Sequence, residues 1–117
     1  MVSKNQIKLI TSLDQKKFRQ KNKLFIAEGV KVIQELLLSN FELEHLYVTE
    51  PIFGNTSEKL ITVIHESDLK RISCLSTPNN CLALFKIPDD KSIDESGLVI
   101  ALDDIRDPGN FGTIIRL

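Results

Sequence analysis

Five short apolar runs punctuate this chain: Leu24-Phe25-Ile26-Ala27, His45-Leu46-Tyr47-Val48, Ile61-Thr62-Val63-Ile64, Cys81-Leu82-Ala83-Leu84-Phe85 and Leu98-Val99-Ile100-Ala101-Leu102. Each is far below the roughly 20 residues that cross a bilayer. Their nearly continuous apolar character marks strands covered on both faces. Helical signals lie between them. Ser3-Lys4-Asn5-Gln6 has the form of a capping box and predicts a short helix with Ile7, Ile10 and Leu13 facing inward. Glu28-Gly29 turns into a helix carrying Val30, Ile33, Leu36 and Leu37 on one face and ending near Asn40, while Ser67-Asp68 caps a shorter one with Leu69 and Ile72 inside. Phe53 to Ser57 and the Thr77-Pro78-Asn79-Asn80 turn read as loops. Strands alternating with helices predict a layered α/β domain with a mostly parallel sheet.

The 117 residues suit one hydrophobic core, and 42% hydrophobic with 26% charged residues is the mix of a globular domain rather than a disordered tail. Cys74 and Cys81 are too few for a disulfide scaffold and wrongly spaced for a zinc ribbon. Both are expected to be small core residues in a reduced, cytoplasmic compartment. No pair of His or Cys has ligand spacing, so no metal site is expected, and His45 and His65 are read as structural or surface groups. Asp103, Asp104 and Asp107 cluster near the chain's last turn and are expected to shape it and cap the following helix.

The formal charge of −1 hides an asymmetry: residues 1–30 carry a net +5 and residues 31–117 a net −6. Most of the positive charge sits in Lys16-Lys17-Phe18-Arg19-Gln20-Lys21-Asn22-Lys23, expected to be a mobile loop or a frayed helix extension. Lys16, Lys17, Arg19, Lys21 and Lys23 could neutralise phosphates, with Phe18 stacking on a base or pinning the segment to the core. Lys4 and Lys8, about one helical turn apart, would extend the patch. A plain solvated surface explains the same charges.

The segment 88–96 has four acids, one base and a single apolar residue, which suggests a linker. After the fifth run comes Asp103-Asp104-Ile105-Arg106-Asp107-Pro108-Gly109, then the start of a helix. Polar groups at the carboxyl end of a buried strand are where open α/β sheets bind ligands. Asn110 would lie at or near the helix N-cap, with Arg116 within reach of the same side. On the residues alone, a good cap and an ordinary surface arginine are the stronger account of both.

Asp107-Pro108-Gly109-Asn110-Phe111-Gly112-Thr113-Ile114-Ile115-Arg116, after an apolar strand and Leu102-Asp103, resembles the first signature motif of the SpoU/TrmH family. These are RNA ribose 2′-O-methyltransferases of the SPOUT class. Residues 1–87 resemble the family's substrate-binding domain in the segment from Ser3 to Lys8, the basic stretch, Leu24-Phe25-Ile26-Ala27-Glu28-Gly29 with Val32 and Glu35, and Thr77-Pro78. Many relatives have Gln-Gly after that Thr-Pro; here Asn79-Asn80 stands there, and asparagine tolerates the left-handed backbone such a turn uses.

The resemblance implies a small three-layer α/β RNA-binding domain, like that of certain large-subunit ribosomal proteins, over residues 1–90. It further implies a linker at 91–97 and the first strand and helix start of a knotted SPOUT domain at 98–117. It implies transfer of a methyl from S-adenosylmethionine to a ribose 2′-hydroxyl of structured rRNA or tRNA by a homodimeric enzyme. Asn110 and Arg116 match its active-site positions. The later motifs that build the cofactor pocket are not found in this sequence, so no cofactor-binding residue is assigned and residues 1–117 alone are expected to be catalytically inactive. A stand-alone ribosomal-protein-like RNA-binding module is the alternative, and a protein-binding α/β domain the third reading. Residues 98–117 are expected to pack on their own domain or against a second copy.

Overall fold

The computed structural model describes residues 2–90, 96–104 and 106–116. The chain runs α1 (Lys4–Ser12), α2 (Lys16–Asn22), β1 (Leu24–Glu28), α3 (Val30–Leu38), β2 (Leu43–Val48), a short 3-10 turn (Glu58–Leu60), β3 (Ile61–Val63), α4 (Glu66–Ile72), β4 (Cys81–Lys86) and α5 (Pro108–Arg116). The four strands form one sheet in the order β1-β4-β2-β3. β4 pairs antiparallel with both β1 and β2, and only β2 and β3 are parallel.

The sheet is therefore mostly antiparallel, which corrects the expectation of parallel strands. The alternation of strand and helix reports how the faces are covered; it does not fix strand direction. β4 is central and buried at every position from Cys81 to Phe85, as a continuous apolar run requires. Its residues alternate between two cores. Leu82 and Leu84 join Leu24 and Tyr47 under Ile10 and Leu13 at the end of α1 and under Leu69 and Ile72 of α4. Cys81, Ala83 and Phe85 join Ala27, Leu46 and Val48 under Ile33 of α3, with Val30, Leu36 and Leu37 packed around them. Helices on both faces give three layers.

Local signals were placed well at the start of the chain. Ser3 Oγ accepts from Gln6 N and Gln6 Oε1 accepts from Ser3 N, so the capping box forms. α4 begins two residues earlier than a Ser67 cap requires, with His65 at the N-cap and Glu66 and Asp68 in a first turn that favours acids. Cys74 departs from expectation. It is exposed, because Glu28 draws the loop after α4 outward by accepting hydrogen bonds from Ser73 Oγ and Cys74 N.

Leu98-Val99-Ile100-Ala101-Leu102 forms no strand here and is exposed, with Leu98 93% accessible. A strand needs an edge to pair with, and β1 to β4 meet only one another. The expected helix after it does form, as α5. Most of the linker assigned to 91–97 lies outside the described residues; Ser96 and Gly97, which follow, form a bend. No helix among the described residues is long and apolar enough to cross a membrane.

Candidate nucleic-acid interface

The basic stretch is a helix, not a loop. α2 spans Lys16–Asn22 and ends at Lys23, whose φ of 55° is left-handed. One side of α2 is anchored. Phe18 and Arg19 are half-buried, and Arg19 Nη1 donates to the carbonyls of Leu13 (3.0 Å) and Asp14 (2.8 Å). These carbonyls lie at the end of α1, where cations are favoured. The other side is cationic. At about 100° per residue, Lys16, Lys17, Gln20 and Lys21 fall within one arc of about 140°, and Lys23 continues it at the cap. All four lysines are exposed. Lys17 Nζ lies 4.9 Å from the centre of the Phe18 ring.

The ion pairs among the described residues are Asp68–Arg71, Lys86 with Glu42 and Glu44, and Asp104–Arg106, so no acid among the described residues forms an ion pair with this face. Of the residues expected to meet RNA, Lys16, Lys17, Lys21 and Lys23 thus form one surface. Arg19 and Phe18 build the helix that carries it.

The second candidate site is spread out. Asp107 Oδ1 accepts from Gly109 N at 3.1 Å and caps α5, as expected of that aspartate, so Asn110 falls inside the first turn. Asp104, with φ 52°, holds Arg106 through two hydrogen bonds. Asn110 and Arg116 are both exposed. Six helical residues separate them by about 120° around the axis and roughly 9 Å along it, so they do not share one side as expected. α5 contains no buried residue, so nothing here encloses S-adenosylmethionine, and these residues do not by themselves fit that cofactor.

His45 Nε2 lies 2.7 Å from Thr62 Oγ1, and burial pushes its pKa down, with Glu44 opposing. The contact bridges β2 and β3. No group of three or more His, Cys, Asp or Glu among the described residues could hold a metal. One feature escaped the sequence reading: an open groove of about 760 Å³ beside β1, bounded by Phe25, Phe41, Arg19, Asn40 and the exit segment at Asp89 and Asp90. Its only signal was an aromatic directly after the polar Ser39-Asn40 turn.

Residues 4–83 match the family model described as the MRM3-like substrate binding domain. The chain belongs to this family. The MRM3-like domain here is similar, at 30% identity over 93% of the chain, to part of the rRNA methyltransferase 3, mitochondrial, of Xenopus laevis, of which it spans 29%. It is also 30% identical over 97% of the chain to the 23S rRNA (guanosine(2553)-2'-O)-methyltransferase RlmP of Bacillus subtilis, spanning 47% of that protein. Among solved structures, one described as an RNA methyltransferase of the TrmH family from Porphyromonas gingivalis matches 99% of the chain at TM-score 0.84 and 35% identity, over 47% of its own length. The AdoMet-bound rRNA methyltransferase from Sinorhizobium meliloti matches 99% of the chain at TM-score 0.68 and 26% identity, over 48% of its length. The chain thus spans no more than about half of each of these relatives.

Proposed function

We propose that residues 1–90 are the RNA-gripping domain of an S-adenosylmethionine-dependent rRNA ribose 2′-O-methyltransferase, and that 91–97 link it to a catalytic part beginning at 98–117. The observation that carries the RNA role is the exposed lysine face of α2, on a domain of the MRM3-like substrate binding family. Lysines on a fixed helix supply point charges that track a phosphate backbone without reading sequence. The match to an rRNA methyltransferase of S. meliloti described as AdoMet-bound supports the choice of methyl donor.

Within an active methyltransferase, Arg116 grips a phosphate beside the target ribose and stabilises the developing alkoxide, while that phosphate takes the hydroxyl proton, since a guanidinium stays charged and is a poor base. Asn110 orients the ribose. In such an enzyme Arg116→Ala should abolish turnover and Arg116→Lys should retain only a remnant; full activity in both would remove Arg116 from the reaction. Residues 1–117 alone should transfer no methyl group. The apolar residues around α5 support a homodimer, in which a second copy would cover them.

Salt dependence tests the RNA role. Affinity for a structured rRNA hairpin should fall as salt rises, with a Kd of about 10⁻⁴–10⁻⁶ M near physiological salt. Replacing Lys16, Lys17, Lys21 and Lys23 by alanine should flatten the log–log slope by roughly 0.7–0.9 per phosphate contact removed. Binding that ignores both salt and these lysines would point instead to a protein partner.

A further inference from the structure

We infer that the groove beside β1 is a nucleobase site that prefers guanine, an inference that rests on the RNA reading and sharpens it. Phe85 is fully buried; Phe25 stacks on it with centroids 5.8 Å apart, and Phe41 meets Phe25 edge-on at 5.5 Å. A ladder of three rings therefore runs from the core to the surface, where Phe41 remains 39% exposed. An aromatic ring held by packing from behind and open in front is the platform on which unpaired bases stack, because every base has a π-face.

The charges around the ring select the occupant. Arg19, Asp89 and Asp90 all line the groove. Arg19 uses Nη1 on the α1 carbonyls, which fixes the guanidinium and leaves its other donors for a phosphate at the rim. No cation among the described residues engages Asp89 or Asp90. A carboxylate only accepts hydrogen bonds and repels phosphate, so it suits a base edge with two adjacent donors. Guanine presents N1–H and the N2 amino group side by side; adenine, cytosine and uracil present no such pair. Asn40, with a donor and an acceptor, completes the polar rim. The groove also lies where β4 leads out of the domain, since Ile87 N still bonds Lys23 O, at the end of α2.

The test is a titration of the isotope-labelled full chain with GMP, AMP, CMP and UMP, followed by NMR. GMP should shift the amides of Asn40, Phe41, Asp89 and Asp90, with an affinity at least about fivefold above the other nucleotides, the low end of what one bidentate base-edge contact discriminates. Phe41→Ala should abolish the shifts. The surface variant carrying Asp89→Asn and Asp90→Asn should bind GMP and AMP alike. The quadruple lysine variant should still bind GMP in the groove.

Absence of groove shifts with every nucleotide, or equal shifts that ignore the aspartates, would overturn the guanine site even if long RNA still binds the lysines. Phe41 signals that move with protein concentration alone would overturn it in favour of a second copy in the groove. GMP binding without any affinity for long RNA would leave the base site standing and remove the RNA-gripping reading.

Discussion

Gly29 is the most constrained backbone position between β1 and α3. Its φ of +101° is rarely adopted by L side chains, and a Cβ there would meet Asn79 Nδ2 at 3.3 Å. Its N–H also donates to Cys81 O, tying the turn to β4. Gly29→Ala should cost about 1–3 kcal/mol of stability, read as a lower urea midpoint. The turn was legible from Glu28-Gly29, but its partner was not, because no local pattern announces that the Asn79-Asn80 loop folds back on it.

His45 gives a pH-dependent counterpart. Burial lowers its pKa in the folded state, so the unfolded chain takes up the proton first. The stability associated with neutral His45 is present above about pH 6.5 and is lost as pH falls through the lowered folded value. Urea midpoints should therefore decline from about pH 7 to 5, and His45→Gln, which cannot titrate, should flatten that decline. An equal decline in the variant would assign the effect to other groups.

Elements with a local cause were readable, and those with a tertiary cause were not. α1 announces itself through its capping box; Ser3→Ala should cost about 1 kcal/mol. α2 has no apolar periodicity to read. It is anchored because Arg19 finds the carbonyls at the end of α1 and Phe18 is half-buried, which no count of lysines could foretell. Lys23 closes it in a left-handed conformation that suits glycine better. Lys23→Gly should therefore raise stability by about 0.5–1 kcal/mol, read as a higher urea midpoint, while lowering RNA affinity. That opposite movement separates a binding role from a structural one. Four of the five expected strands form within a few residues of their predicted places, the run from Leu98 to Leu102 does not, and the strand directions were not legible. Burial on both faces produces the same sequence whether β4 runs with or against its neighbours.

The whole molecule divides by burial. Every buried residue among those described lies between Val2 and Phe85, so the fold is closed before the signature motif begins. The radius of gyration is 16.3 Å, against about 13 Å for a compact domain of roughly 100 residues. Leu98, Val99, Ile100, Leu102, Phe111 and Ile115 are all exposed in the tail, an apolar surface of the kind that normally marks a contact with another chain. Removing residues 97–117 should therefore leave the unfolding free energy from urea titration within about 0.5 kcal/mol of its value, since surface positions away from packing contribute little. The same deletion should abolish any self-association seen by light scattering. A clear drop in the midpoint would mean that the tail docks on its own domain in solution, and unchanged self-association would place the contact between copies elsewhere.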